Sequence, residues 1–182
     1  MTQAADKRYD IEFYVQRCIK YHSYRSAFFA KLKTIMSFVT VLFGSAVAAA
    51  LVAKAPPEFA IAASAVVVTF SAFDLVVGTA KKSWDHNDLK KRFYAVELEL
   101  LAVPPEEFDD QKERDFRVKL KKIENDEPYG LPFLNAVAEN DVIRANYPSE
   151  QAAKYVAKLP WIKRVTANII DWDVAPYLGT EA

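Results

Sequence analysis

Asp74 stands inside FSAFDLVVGTAKK, residues 70–82, an otherwise apolar run closed by two lysines. A carboxylate in that setting belongs either to a soluble core helix with a stray acid or to a membrane span that keeps a charge for a purpose. In a span, an acid faces a bundle interior or an ion path. At helical spacing Ser64, Ser71, Asp74 and Gly78 fall with Ala60 in one narrow arc interrupted by Val67, a small and polar face. On the preceding apolar run Ser37, Gly44 and Ala48 recur at i, i+7 and i+11, and Gly44 with Ala48 makes a small-xxx-small pair of the kind that lets helices approach closely in lipid. Counted in from the ends of the two runs, Asp74 should lie near the depth of Thr40, with Ser37 one turn below. No Lys or Arg within either run matches that depth. The stripe is therefore expected to line an interface or pore in a homo-oligomer, the alternative being a protonated or hydroxyl-bonded Asp74 that fixes packing inside one hairpin.

Other chemistry is poorly provided for. Cys18 is the only cysteine, so neither an intrachain disulfide nor a thiol pair for a metal can form. His22 and His86 sit on opposite sides of the apolar stretch without HExxH or Cys/His spacing and read as structural. Neither a GxxxxGK[ST] nor a GxGxxG motif is present. Acidic groups such as EEFDD and ENDEP fall on helix termini and exposed faces rather than in a constellation with a nucleophile or base. No enzyme, metal or cofactor is expected. A formal net charge of zero lacks the basic excess of a nucleic-acid binder, so no nucleic-acid partner is expected.

The elements that position the stripe are legible from hydropathy. TIMSFVTVLFGSAVAAALVA, residues 34–53, carries no charge for about twenty residues, enough to cross roughly 30 Å of hydrocarbon as a helix. FAIAASAVVVTFSAFDLVVGTA, residues 59–80, follows after KAPPE, whose prolines stop the first helix and suit a turn. An Asp at mid-bilayer costs about 2.5–3.5 kcal/mol, and the Phe, Ile, Leu and Val residues from Phe59 to Val77 return roughly 3–6 kcal/mol, so the second run inserts with little margin. Arg25, Lys31 and Lys33 before the first span, with Lys81 and Lys82 after the second, place both termini in the cytoplasm and the protein in a cell membrane as a multi-pass chain.

Before the spans, Ile11, Val15, Cys18, Ile19, Phe28 and Leu32 recur at helical intervals. After them Trp84, Leu89, Phe93, Val96 and Leu100 do the same. These two arms are expected to leave the membrane as a coiled pair. Arg8, Arg17 and Lys20 could meet Glu97 and Glu99 across it, although solvated charge explains the same residues. A helix beginning at Pro105, another over FLNAVAENDVIRANY, one from Ser149 through Leu159 and a last over WIKRVTANIIDW complete an all-α protein: a two-helix transmembrane hairpin extended into a cytoplasmic helical bundle. The last segment, with Trp161 and Trp172 near its ends and Lys163 and Arg164 on its flank, suits either docking on that bundle or the membrane interface.

RYDIEFYVQRCIKYHSYRSAFF before the hairpin, SAFDLVVGTAKKSWDHNDLKKRFYAVELEL after it and IENDEPYGLPFLNAVAENDVIRAN beyond resemble the SLATT family, small bacterial two-transmembrane effectors. The resemblance, over roughly residues 8–147, rests on order and texture. It implies a 1–147 domain with a separate 148–182 helical tail, and an oligomeric effector of the bacterial inner membrane that forms pores or disrupts the bilayer in phage defence. It also implies a nucleotide-sensing or nucleotide-synthesising partner, alongside the lipid bilayer and further copies of the chain. The competing expectation is a non-conducting anchor or scaffold that recruits proteins through its cytoplasmic helices. A third is a soluble helical domain that buries its hairpin.

Overall fold

The computed structural model describes residues 3–177, and side-chain surroundings from Asp6 onward. Every regular element among the described residues is helical. Helix α1 spans Gln3–Val52, a proline-free stretch about 75 Å long at 1.5 Å per residue. It ends in a Schellman motif. The Ala55 amide reaches the Ala50 carbonyl at 2.9 Å while Lys54 takes a left-handed conformation, φ 52°, that non-glycine residues seldom adopt. Helix α2, Pro57–Val77, opens with a proline at its first position, where the missing amide costs no hydrogen bond.

Helix α2 does not run on without a break. Gly78 turns left-handed, φ 64° and ψ 45°, and its amide closes the helix on the Asp74 carbonyl at 2.8 Å. Helix α3 then restarts over Thr79–Leu101. A Cβ at Gly78 would meet nothing within 4 Å, so glycine is needed here for its backbone freedom rather than for space.

Two compact units divide the chain, residues Ser26–Asp85 and, separately, residues up to Arg25 with those from His86 onward.

The Ser26–Asp85 unit is a helical hairpin. Phe29, Met36 and Ala50 are buried on α1 with half-buried Phe43 between them, a seven-residue recurrence that marks a left-handed coiled seam. On α2, Ala60, Val67 and Asp74 are half-buried at the same interval, with Ala63 buried beside them. The outward faces are strongly apolar: Ile35, Phe38, Val41, Leu42, Phe59, Ile61, Val68, Phe73, Leu75 and Val76 are all exposed. Only 11% and 6% of the most apolar stretches of the two long helices are buried, far below what the core helix of a soluble protein shows. Both helices are long and apolar enough to cross a membrane.

The other unit has an ordinary interior. Ile11, Val15, Cys18 and Ile19 from α1 and Leu89, Phe93, Val96 and Leu100 from α3 meet Phe116, Leu120 and Ile123 of α4, Asp110–Glu124, with Phe108 closing the cluster. Helix α4 begins later than Pro105. Pro105–Glu107 form a short 3-10 turn, and the Asp109 side chain caps α4 by accepting the Lys112 amide at 2.8 Å. A second cluster joins Tyr21 to Phe133, Leu134, Val137 and Ala138 of α5, Pro132–Asn146, and to Ala167. Helices α6, Ser149–Tyr155, and α7, Trp161–Thr166, are shorter than their periodicity suggests. The α6 chain leaves the helix at Val156, and the Ala157 amide and carbonyl bond instead to the Asn140 side chain, both at 2.8 Å.

The charged pairs expected across the two arms are not the ones formed. Arg8 bonds Glu12 at 3.3 Å within α1, Arg17 bonds Glu139 at 3.3 Å, and Glu99 pairs with Lys119.

Candidate functional site

Asp74 takes a seam position in the hairpin, and its two oxygens are both occupied. Lys33 Nζ donates to Oδ2 at 2.6 Å, and the buried Thr79 hydroxyl donates to Oδ1. The absence of a basic partner at the depth of Asp74 does not hold. Lys33 stands one turn before Ser37, and its four-carbon stem carries the ammonium along the helix surface to the acid. Gly78 makes this possible at the other end. By stopping α2, it lets Thr79 fold back onto the carboxylate five residues earlier.

The neighbouring rung is equally closed: the Ser26 hydroxyl donates to the Ser83 carbonyl and the Ser83 hydroxyl to the Ser26 carbonyl, each at 3.1 Å. Lys82 lies over the Phe29 ring at 5.5 Å. This end of the hairpin is thus a polar clasp joining α1 to the end of α2 and the start of α3. A charge that costs several kcal/mol alone in hydrocarbon is tolerated when paired and hydrogen-bonded. A single polar pair in a coiled seam also fixes register, since sliding the helices by a residue would separate it.

The remaining stripe residues split into two sets. Thr40, Gly44, Ser64 and Gly78 are half-buried, whereas Ser37, Ala48 and Ser71 lie on exposed faces. The Ser64 hydroxyl bonds the Ala60 carbonyl one turn back at 2.8 Å, as do Ser45 to Val41 and Thr69 to Ala65, each at 2.8 Å. Back-bonding of this kind gives each hydroxyl a partner within its own helix.

No family model, curated protein or solved structure matches this chain. Its function has to be argued from its own residues.

Sequence reasoning missed a second polar cluster, in the other unit. His22 and His86, both buried, bring their Nδ1 atoms to 3.1 Å, and His22 Nε2 lies 3.1 Å from Glu127 Oε1. His22 stacks on Phe93 with ring centroids 5.6 Å apart and meets the edge of Tyr21 at 5.2 Å. The signal was available: the two histidines are equidistant in sequence from Lys54, where the hairpin turns, so antiparallel arms bring them level. Beside them a cleft of about 350 Å³ is lined by Tyr14, Arg17, Cys18, Tyr21, Glu127 and Leu131, among others. Burial pushes the Cys18 thiol up to about 12, with the Glu127 charge acting in the same direction, so the only thiol is protonated and inert at neutral pH. Burial likewise raises the Tyr14 phenol, which donates to Glu124 at 2.7 Å. Among the described residues no group of three or more His, Cys, Asp or Glu side chains is arranged to hold a metal.

Proposed function

We propose that this protein is a homo-oligomeric effector of the bacterial inner membrane that acts by opening or disrupting the bilayer, with both termini cytoplasmic. The observation that carries the reading is the inverted hairpin. Its apolar side chains point outward, and its one intramembrane acid is neutralised within the chain by Lys33 and Thr79. Such an object is soluble in lipid as a single copy and also offers outer faces on which further copies can pack. Ser37, Ala48 and Ser71 are among the small residues on those faces, and small residues are what helix association in lipid uses. The Lys33–Asp74 clasp supplies a closed state. Opening it within an assembly would release two charges into a shared interior, where they would draw in water. The role in phage defence and the nucleotide-sensing or nucleotide-synthesising partner rest on the SLATT resemblance alone.

One observation favours the non-conducting anchor. Because the clasp already satisfies Asp74, the acid needs neither pore water nor a second subunit. Purified protein in dye-loaded liposomes separates the two. Release of dye, reduced when Ser71→Leu crowds the outer face and unchanged in Val68→Leu, supports the effector. Tight vesicles around a defined oligomer overturn it in favour of the scaffold. An Asp74→Asn chain that leaks more than the wild type identifies the clasp as the restraint.

A further inference from the structure

From Lys154 to Ile170 the chain carries Lys154, Lys158, Lys163 and Arg164 and no acid, and its large apolar residues face outward. Trp161, Val165 and Ile169 are 72%, 72% and 71% exposed, and Ile162 is exposed with them. They recur at helical spacing along α7 and the turns that continue it, where the Ile169 and Ile170 amides both bond the Thr166 carbonyl at 2.9 Å. The opposite side of the same segment is firmly seated. Ala167 is fully buried, Trp172 Nε1 donates to the Thr166 hydroxyl at 2.8 Å, Arg25 donates to the Asn168 carbonyl at 2.7 Å, and Lys163 lies 4.9 Å over the Trp172 ring. The apolar face is therefore held out by tertiary contacts rather than left over by a loose end.

We infer that this face is a second membrane contact, an interfacial element that lays Trp161, Ile162, Val165 and Ile169 into the headgroup boundary of an anionic bilayer while Lys154, Lys158 and Arg164 meet the lipid phosphates. Charge selects this occupant. An apolar stripe rimmed by cations, with acids resuming only at Asp171 and Asp173, matches an anionic lipid surface better than a second copy bearing the same cations. The inference rests on the membrane reading of the hairpin.

The test uses the full chain in liposomes, with Cys18→Ala removing the native thiol, Ile169→Cys carrying a nitroxide, and Val118→Cys as an exposed reference position in the same unit. In vesicles containing anionic phosphatidylglycerol, the label at 169 should collide with oxygen several-fold more, relative to a water-soluble nickel reagent, than the label at 118. That preference should fall toward the reference value in purely zwitterionic vesicles and in Lys158→Glu/Arg164→Glu. A label at 169 as open to nickel as the one at 118 overturns the inference. So does protection from both reagents, which would mean that protein covers the face. Because the readout is depth and not leakage, it stands or falls apart from the effector reading.

Discussion

The two units invert each other. In the unit built from the ends of the chain, Phe93, Leu100, Phe133 and Val15 are sealed from solvent, and charges such as Arg117, Lys119 and Lys121 lie outside. In the hairpin, Phe38, Phe73, Leu75 and Val76 lie outside, and the single acid of α2 beyond its first turn is turned to the seam. Helices α1 and α3 contribute residues to both units, so propensity cannot account for the inversion. The proposed membrane setting of the hairpin would: a helix places its apolar face inward when the outside is water, and has no reason to when the outside is hydrocarbon.

The contrast can be broken most forcefully at its extremes. Phe93→Ala empties a fully buried site and should cost about 3–5 kcal/mol, read from thermal melts in detergent. Leu75→Ala, at 84% exposure, should leave the same melt within about 0.5 kcal/mol. Charge reverses the order. Val68→Arg on the hairpin's outer face should cost about 2.5–3.5 kcal/mol of membrane insertion, scored by partition between membrane and soluble fractions, while Val118→Arg on the exposed side of α4 should go unnoticed.

A finer test addresses the clasp. Lys33→Ala and Asp74→Ala should each loosen the hairpin, and the double variant should lose less than the two together. A coupling on the order of 0.5–3 kcal/mol is expected if the pair is an interaction rather than a coincidence of placement. At the two left-handed positions, Gly78→Ala should destabilise by about 1–2 kcal/mol and Lys54→Gly should stabilise by a comparable or smaller amount. Opposite shifts in melting temperature would confirm that backbone strain is relieved at one and created at the other.

The smallest effect belongs to the unit with the buried apolar core. Lys7 bonds Asp110 at 2.8 Å and Glu113 at 3.0 Å and holds both carboxyls below their ordinary values. Their contribution to stability is complete above the ordinary values of both carboxyls, about pH 5, and is lost as pH falls through the depressed values. A slight acid-side drop in melting temperature should accompany that loss and be absent in Lys7→Met.

The two apolar runs were legible from the absence of charge: the run over 34–53 ends within a residue of the end of α1, a helix that starts far earlier, at Gln3, and the run over 59–80 lies within three residues of both ends of α2. Half of the stripe was legible too. Helical spacing puts Ser64, Asp74 and Gly78 near one line on the half-buried side, whereas Ser71, seven residues from both Ser64 and Gly78, is exposed, and spacing alone does not explain it. Depth along the helix axis follows Cα positions and finds no base level with Asp74, whereas a lysine reaches beyond its own turn. Apolar periodicity persists through Val156–Leu159 and Ala167–Trp172, but the Asn140 side chain takes up the Ala157 amide and carbonyl, and past Thr166 the chain continues only as turns. Pro105 signals a helix start more strongly than Asp109, yet α4 begins behind the Asp109 cap.

The paired rings of His22 and His86 have a consequence for isotope-edited spectra. Two nitrogens 3.1 Å apart can share a hydrogen bond only if one is bare. With both rings neutral and Glu127 accepting from His22 Nε2, the bare atom is His22 Nδ1, and His86 must then adopt the Nδ1–H tautomer, the less common form of the free side chain. Nitrogen-15 resonances of the two rings should therefore show opposite tautomers, the protonated nitrogen being Nε2 in His22 and Nδ1 in His86.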